Sequence, residues 1–186
     1  MRKVLRALFI VLALGFTMAV TAYFIYDLTQ FQPNRDRIAA LIASASPQEQ
    51  KPSPEVVGLL RISLGESTAA YAARLLSNEL DALPRPYSML HWHLHGMLWW
   101  SLVSLHLSEA EQVTVVLALA PTGHGRHGVA NTAKVLYEAS LSELSQEQVA
   151  TIIALTRSPS AADRPERLER SRDWLLQKYR AQVQAH

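Results

Sequence analysis

Residues 108–120, with the sequence SEAEQVTVVLALA, decide between a helical and a mixed fold. Val113 to Ala120 is an apolar run that, taken alone, fits either a buried strand or a buried helix. Ser108 with Glu111 three residues later has the spacing of a capping box, in which each side chain accepts a hydrogen bond from the other residue's backbone N–H. This cap favours a helix through Leu119 and argues against a strand in this part of the chain.

Four further segments have helical signals, either alanine-rich composition or polar residues at N-cap spacing. They are about Thr68–Leu80, Gly128–Ser140, Ser145–Thr156 with Gln148 as capping partner, and Pro165–Gln184. Five or six helices without alternating strands predict an all-α domain. The chain has 186 residues, so that even without its first thirty or so it is long enough for one domain with its own core.

An unbroken run of twenty apolar and small residues extends from Ala7 to Tyr26. As a helix it would be about 30 Å long, which matches the hydrocarbon core of a bilayer. Arg2, Lys3 and Arg6 precede it, and because positive charge stays in the cytoplasm, the rest of the chain is expected outside the cytoplasmic membrane. A signal peptide cleaved after Val20-Thr-Ala22 is the alternative, but the run is longer than a usual signal core, which favours an anchor.

The sequence predicts three parts: a cytoplasmic stub and anchor in residues 1–27, a Pro-rich stalk in residues 28–55, and a helical domain in residues 56–186. There is no cysteine, which excludes disulfides, a thiol nucleophile and a lipid-modified cysteine. The formal charge is +2, yet the chain beyond residue 27 has fifteen basic and fifteen acidic residues. No nucleic-acid partner is therefore expected.

The segment Gly123-His-Gly-Arg-His-Gly128 matches the glycine pattern of dinucleotide-binding turns. Such a fold needs a following parallel strand, whereas Leu141 to Thr156 has a helical pattern, and an exported domain is a poor place for a nicotinamide cofactor. The glycines are better explained by positive φ or close backbone approach in a tight loop between helices. Arg126 and its neighbouring histidines could bind an anionic group there, and no cofactor is expected.

Tyr87 to Leu107 contains no Lys, Arg, Asp or Glu, but has four histidines and three tryptophans. On a helix, His91 and His95 share a face at the i, i+4 spacing of zinc pairs. No acidic residue completes the motif, so histidines on a packed or interfacial helix are the favoured interpretation and no metal site is expected. The tryptophans fit equally a membrane–water interface or a packed core.

Glu66 is the candidate catalytic residue. It lies in Leu64-Gly-Glu-Ser-Thr68, where a carboxylate meets a predicted helix N-terminus that favours its ionised form. A general acid or base would need a raised pKa and a second polar group beside it. The other interpretation is a carboxylate that only caps the helix.

Several segments follow one another in the order of known motifs. Gly65-Glu-Ser-Thr68 looks like G-G-S-T, Leu107–Ala118 is similar to L-S-K-E-E-I-L-E-L-Y-L-N, and Gly123–Val129 is similar to F-G-x-G-x-x-G-V. Leu136–Glu147 and Arg157–Arg167 resemble Y-F-G-K…L-S-L-A-E-A and Q-A-P-S…N-P-E-R. Over about residues 60–180 the chain resembles the family-51 peptidoglycan glycosyltransferases, the transglycosylase domains of class A penicillin-binding proteins and their monofunctional relatives.

The resemblance implies a lysozyme-like helical domain whose reaction joins lipid-linked disaccharides. In that reaction one carboxylate activates a sugar hydroxyl, and cationic groups steady the departing pyrophosphate. Carried over position by position, it implies substrate contacts by Ser67, Thr68, His93, His95, Gly123, Gly125, Arg126 and Gly128. Glu66 stays the candidate catalytic residue for the reasons given above and not through the resemblance.

The resemblance breaks at positions that the family's chemistry uses. The catalytic glutamate of an E-D-x-x-F-x-x-H segment has no counterpart between residues 34 and 64. The second glutamate, in an R-K-L-K-E-A segment, falls on Gly96, and His93 and His95 stand where lysines normally occur. The asparagine of L-Y-L-N is replaced by Ala118.

A retained scaffold with these losses predicts a catalytically lapsed, glycosyltransferase-like protein of cell-envelope assembly. It would be anchored in the bacterial inner membrane by Ala7 to Tyr26, with its domain in the periplasm, and would bind a lipid-linked disaccharide precursor or a cell-envelope protein. The alternative is an active cell-wall glycan enzyme, a glycosyltransferase or a lytic transglycosylase. In that case Glu66, which replaces the second glycine of G-G-S-T, would be the acid or base.

Overall fold

The structure is a computed structural model that describes residues 2–65, 67–82 and 88–184. It divides into two compact units, Met1–Arg37 and Ile38–His186. The helices and strands are α1 Arg2–Tyr26, α2 Arg35–Ser44, α3 Pro47–Gln50, α4 Pro54–Leu64, α5 Thr68–Glu79, α6 Met89–His106, α7 Glu109–Leu119, β1 Pro121–Gly123, β2 Arg126–His127, α8 Val129–Tyr137, α9 Gln146–Arg157 and α10 Pro165–Gln184.

The first unit contains α1, which continues into a π-helical turn at Asp27–Phe31 and a 3-10 turn at Gln32–Asn34. Among the described residues, one helical stretch, Val4–Ser44, is long and apolar enough to cross a membrane. Its most apolar 18-residue window has a mean hydropathy of 2.3 and is not buried. The predicted helix from Ala7 to Tyr26 lies within α1, and its length and composition are those of a membrane span or of a signal sequence.

The core of the second unit surrounds α9, which has seven buried residues, among them Ile152 and Ile153. Removing a side chain of that size from water contributes roughly 1.5–3 kcal/mol. Helix α9 packs against α4 and α10, while α5 packs against α6 and α7. Gly58 lets α4 approach α10 closely, since a Cβ there would lie 2.6 Å from Cε2 of Tyr179.

Both predicted capping boxes are present. The backbone N–H of Ser108 donates to Glu111 Oε2 at 2.8 Å, and the N–H of Glu111 donates to Ser108 Oγ at 3.3 Å. Ser145 and Gln148 make the same pair of bonds at the start of α9. The apolar run from Val113 therefore lies in helix α7, and the all-α fold class is confirmed.

The glycine-rich segment forms a short antiparallel hairpin of β1 and β2. His124 and Gly125 have φ values of 52° and 71°, which makes the tight turn. In the described parts of the chain these two strands are the only sheet, so the parallel arrangement of a dinucleotide-binding fold is absent. The loop expected between two helices is present, with a strand pair inside it.

The interval predicted as a stalk, residues 28–55, contains α2 and α3, and the second compact unit begins at Ile38. Pro47 and Pro54 are the first residues of α3 and α4, where a missing N–H leaves no bond unmade. Glu49 of α3 is buried; its Oε2 accepts from the N–H of Ser46 at 3.0 Å and its Oε1 from the N–H of Ala130 at 2.9 Å. This carboxylate joins α3 to the N-terminus of α8.

Candidate functional site

A cavity of about 610 Å³ lies between α5 and α6, and we call it the α5–α6 cleft. One wall is polar and comes from α5 and the turn after it: Arg74, Ser77, Asn78 and Asp81. The other wall comes from α6: Trp92, His93, His95, Gly96, Met97, Trp99 and Trp100. The cleft combines cationic and hydrogen-bonding groups with a large aromatic surface.

Local sequence explains where the two walls begin and end. Gly65 ends α4 in a left-handed conformation with a φ of 59°, which allows the chain to turn into α5. Asp81, also left-handed with a φ of 50°, turns the chain away after α5. Ser88 caps α6 by accepting a hydrogen bond from the N–H of His91 at 3.2 Å.

The tryptophans of α6 divide between core and surface. Trp99 is completely buried, whereas Trp92 and Trp100 are each 45% exposed. Consecutive helix positions point about 100° apart, so Trp99 and its neighbour Trp100 face different surroundings. Trp99 anchors α6 in the core, and the two exposed indoles line the open side of the cleft.

His95 is the buried histidine of the cleft. Its Nε2 lies 2.7 Å from Ser77 Oγ on the opposite wall, and its ring is 5.8 Å from that of Trp99. Burial, with a smaller effect from nearby His91, lowers the pKa of His95 below its usual value. The neutral imidazole therefore holds α5 and α6 together, and protonating it opposes folding.

The stability of the domain should consequently decrease as the pH falls. Above the unfolded-state pKa of about 6.5, His95 is neutral in both states and has no effect on the pH dependence; below it, the unfolded chain binds a proton that the folded chain resists. We expect His95→Gln to remove the part of the pH dependence of the unfolding free energy that comes from this histidine. Because His95 binds one proton, that part is at most about 1.4 kcal/mol per pH unit. Chemical denaturation across the acidic range measures it.

His93→Gln is the matched control, because this side chain is exposed on the same helix. It should leave the pH dependence as in the wild type. Equal slopes in the wild type and in His95→Gln would show that this histidine does not couple protonation to folding.

Arg74 and His93 are the groups of the cleft that could meet an anion, and they lie on opposite walls. The guanidinium carbon of Arg74 lies 4.6 Å from the centre of the Tyr71 ring, an arrangement that orients the side chain by cation–π attraction. Tyr71 is itself fixed, since its hydroxyl donates to the carbonyl of Thr156 at 2.6 Å. His93 is exposed, with its ring 4.9 Å from the ring of Trp92. An anion in the cleft would meet Arg74 from one wall and His93 from the other.

The candidate residues do not form one constellation. Glu66 lies outside the described residues, so the structure leaves its side chain undescribed. Ser67 is the N-cap of α5 without a side-chain capping bond, and Thr68 is the first residue of that helix; neither lines the cleft. Of the candidates, His93 and His95 are the two that do.

The glycine hairpin, formed by β1 and β2 in residues 121–128, lies outside the cleft and packs against other segments. A Cβ on Gly123 would lie 2.6 Å from the carbonyl oxygen of Pro159, and one on Gly128 would lie 2.9 Å from that of Ala118. Gly125, by contrast, has open space around it. Arg126 is half-buried, and its Nε is a buried donor without a hydrogen-bond partner in the described structure.

Sequence reasoning missed the polar wall of the cleft. Arg74, Ser77 and Asp81 recur at intervals of three and four residues and so lie along one face of α5 and its C-terminal turn. A polar face on one predicted helix, followed by the charge-free segment 88–108, is a signal that could have indicated that α5 and α6 form the two walls of a cleft. In the described residues, no group of three or more His, Asp or Glu side chains is close enough to hold a metal ion.

Residues 94–180 match the family model of the transglycosylase domain. This part of the chain, a little under half of it, is similar to a transglycosylase domain. The fold of this domain is helical and lysozyme-like, as the resemblance implied, and the domain indicates a function related to peptidoglycan glycan. No curated protein matches the chain.

The transglycosylase match begins inside α6 and ends near the end of α10. It therefore includes Gly96, the glycine hairpin and helices α7 to α9, and it leaves out α5. The α6 wall lies in the matched segment from His95 onward, whereas Trp92, His93 and the polar wall precede the match.

Proposed function

We infer that this protein is a peptidoglycan glycosyltransferase-like pseudoenzyme that binds a lipid-linked disaccharide precursor in the α5–α6 cleft and does not polymerise it. Residues 1–27 anchor it in the bacterial inner membrane, and residues 28–55 lead from the anchor into the domain, whose compact unit already begins at Ile38. The domain works in the periplasm during cell-envelope assembly. The transglycosylase match and the apolar α1 support this assignment.

The inference rests on Gly96, which lines the cleft and has no side chain. This is the position at which the resemblance expects the second glutamate, and a Cβ built there meets nothing within 4 Å. Among the described lining residues the one carboxylate is Asp81, which is exposed at the end of α5. Glycosyl transfer needs a positioned carboxyl to activate the sugar hydroxyl, and the cleft has open space where one is expected.

The remaining groups suit binding of a lipid-linked pyrophosphate. Arg74 offers charge-assisted hydrogen bonds from one wall, and the imidazole of His93 offers a ring N–H from the other. Trp92, Met97 and Trp100 are 45%, 63% and 45% exposed and provide an apolar surface for the hydrocarbon part of the precursor. Loss of the carboxylates removes the chemistry, but it leaves these contacts in place.

The test is polymerisation of lipid-linked disaccharide precursor by the detergent-purified full-length protein, with direct binding recorded on the same samples. We expect binding without glycan, and roughly tenfold weaker binding in each of Arg74→Gln and His93→Gln, since each variant removes a hydrogen-bond donor to the pyrophosphate. Arg180→Gln, an exposed arginine of α10 outside the cleft, is the control and should bind like the wild type.

Glycan that forms with the wild type and disappears in Glu66→Gln would overturn the inference in favour of an active cell-wall enzyme. A folded wild type that neither forms glycan nor binds precursor would also overturn it, and would leave a cell-envelope protein as the partner.

A further inference from the structure

A second cavity, of about 460 Å³, lies where the ends of α4 and α9 meet α10. Three arginines line it, Arg157 from α9 and Arg167 and Arg170 from α10, and we call it the arginine cavity. It shares no lining residue with the α5–α6 cleft. Neither the transglycosylase chemistry nor the precursor-binding inference uses it.

Among the described residues, nothing inside the arginine cavity neutralises its positive charge. None of the described lining residues is acidic, and none of the three arginines has a described carboxylate within 4 Å. The nearby Asp173 is bound by Arg172. Glu166 borders a neighbouring depression that Arg167 and Arg170 also line, but it forms no ion pair within 4 Å with either arginine in the described structure. Three like charges around one cavity repel each other, and an anion between them removes that repulsion.

One of the three guanidinium groups is held in place. Arg157 Nη1 donates a hydrogen bond to the carbonyl oxygen of Ser63 at 2.5 Å, near the C-terminus of α4. Arg167 and Arg170 are three residues apart on α10, which places them on one helix face. The charges therefore converge on the cavity from two elements instead of spreading along one exposed helix.

Trp174 gives the cavity an apolar side. It follows Arg170 by four residues, so it lies on the same face of α10, and it is 44% exposed. An exposed indole beside three arginines is not required by the core of the domain. It provides a flat surface for the organic part of a ligand whose charged part the arginines bind.

We propose that the arginine cavity binds an organic phosphate, with the phosphate between Arg157, Arg167 and Arg170 and the organic part against Trp174. A phosphomonoester is close to a dianion at neutral pH and has three acceptor oxygens, which matches three guanidinium groups better than a single carboxylate does. The cavity volume leaves room for a sugar-sized group beside the phosphate. Ser158, which also lines the cavity, can donate to a remaining oxygen, whereas the Ser171 hydroxyl donates to the carbonyl oxygen of Arg167 at 2.9 Å.

The experiment is calorimetric titration of the full-length protein with a hexose phosphate, inorganic phosphate and the uncharged hexose, at about pH 7.5, where the phosphate is mostly dianionic. We expect the hexose phosphate to bind more tightly than inorganic phosphate, and the hexose to give no signal. Arg167→Gln with Arg170→Gln should weaken hexose phosphate binding roughly 30-fold or more. Trp174→Leu should weaken the hexose phosphate several-fold and leave inorganic phosphate unchanged.

Lys178→Gln, on the same helix but outside the cavity lining, is the control and should have no effect. Absence of binding to the folded wild type, or an equal loss in Lys178→Gln, would overturn the proposal. Equal affinities for hexose phosphate and inorganic phosphate, unaffected by Trp174→Leu, would also overturn it, because the organic part would then make no contact. Precursor binding in the α5–α6 cleft is measured with Arg74→Gln, so failure of one site is distinguishable from failure of the other.

Discussion

Gly123→Ala is expected to lower the free energy of unfolding by about 4 kcal/mol, which is a large share of the roughly 5–15 kcal/mol of a typical domain. Gly123 has a φ of 92°, and its added Cβ would lie 2.6 Å from both the Pro159 carbonyl oxygen and the Ala162 Cβ. Both contacts belong to the turn before α10, and a backbone carbonyl cannot rotate away as a long side chain can. The midpoint of thermal unfolding, followed by circular dichroism, measures the effect.

Gly125→Ala is a matched control in the same hairpin. Gly125 also has a positive φ, 71°, but a Cβ there meets nothing within 4 Å. The conformational strain of a left-handed residue alone should cost about 1–2 kcal/mol. If both variants lose the same stability, the turn at Pro159 moves aside and the close approach is not what requires Gly123.

Glu49→Ala is expected to destabilise the domain by about 3 kcal/mol, because it leaves two backbone N–H groups without their acceptor, that of Ala130 in a buried bond and that of Ser46 in a half-buried one. The second of these is at the N-terminus of α8, where a carboxylate also interacts favourably with the helix dipole. Glu49→Gln keeps one acceptor and should lose about 2 kcal/mol. Urea denaturation of the three proteins gives the comparison.

The control for Glu49 is Glu111→Ala, which breaks a capping box of the same kind on the surface. Glu111 bonds only within its own box with Ser108, where water can replace it, so its loss should cost about 1 kcal/mol. Similar losses at both positions would mean that the link from α3 to α8 contributes little and that Glu49 acts as an ordinary cap.

Capping chemistry made the helices predictable. Ser108 with Glu111 and Ser145 with Gln148 are local signals, because both partners of each bond lie within one turn of chain. They identified the starts of α7 and α9 and excluded a strand at Val113. Glu49 with Ser46 has a local signal of the same kind, but its bond to Ala130 joins residues 81 positions apart, which no local pattern contains.

The site was less predictable because its walls meet only in the folded chain. His93 and His95 were identified through a resemblance, whereas Arg74 and Asp81 became candidates only when α5 was seen against α6. Trp99 and Trp100 are neighbours in the same sequence context, yet Trp99 is buried and Trp100 is 45% exposed. The difference depends on where α5 and α7 lie, which the local sequence does not give. The glycine pattern predicted a tight loop, but the reason for Gly123, contact with the turn at Pro159, is a tertiary one.

The transglycosylase match begins inside α6, so the segment by which the family is recognised is shorter than the segment that can fold on its own. A fragment cut at residue 94 would begin in mid-helix without the Ser88 cap, and Trp99 would lose the α5 side of its packing. It would also lack Glu49, so the N–H of Ala130 in the first turn of α8 would lose its hydrogen-bond acceptor. We expect an autonomous fragment to start no later than Ile38, more than fifty residues before the segment by which the family is identified.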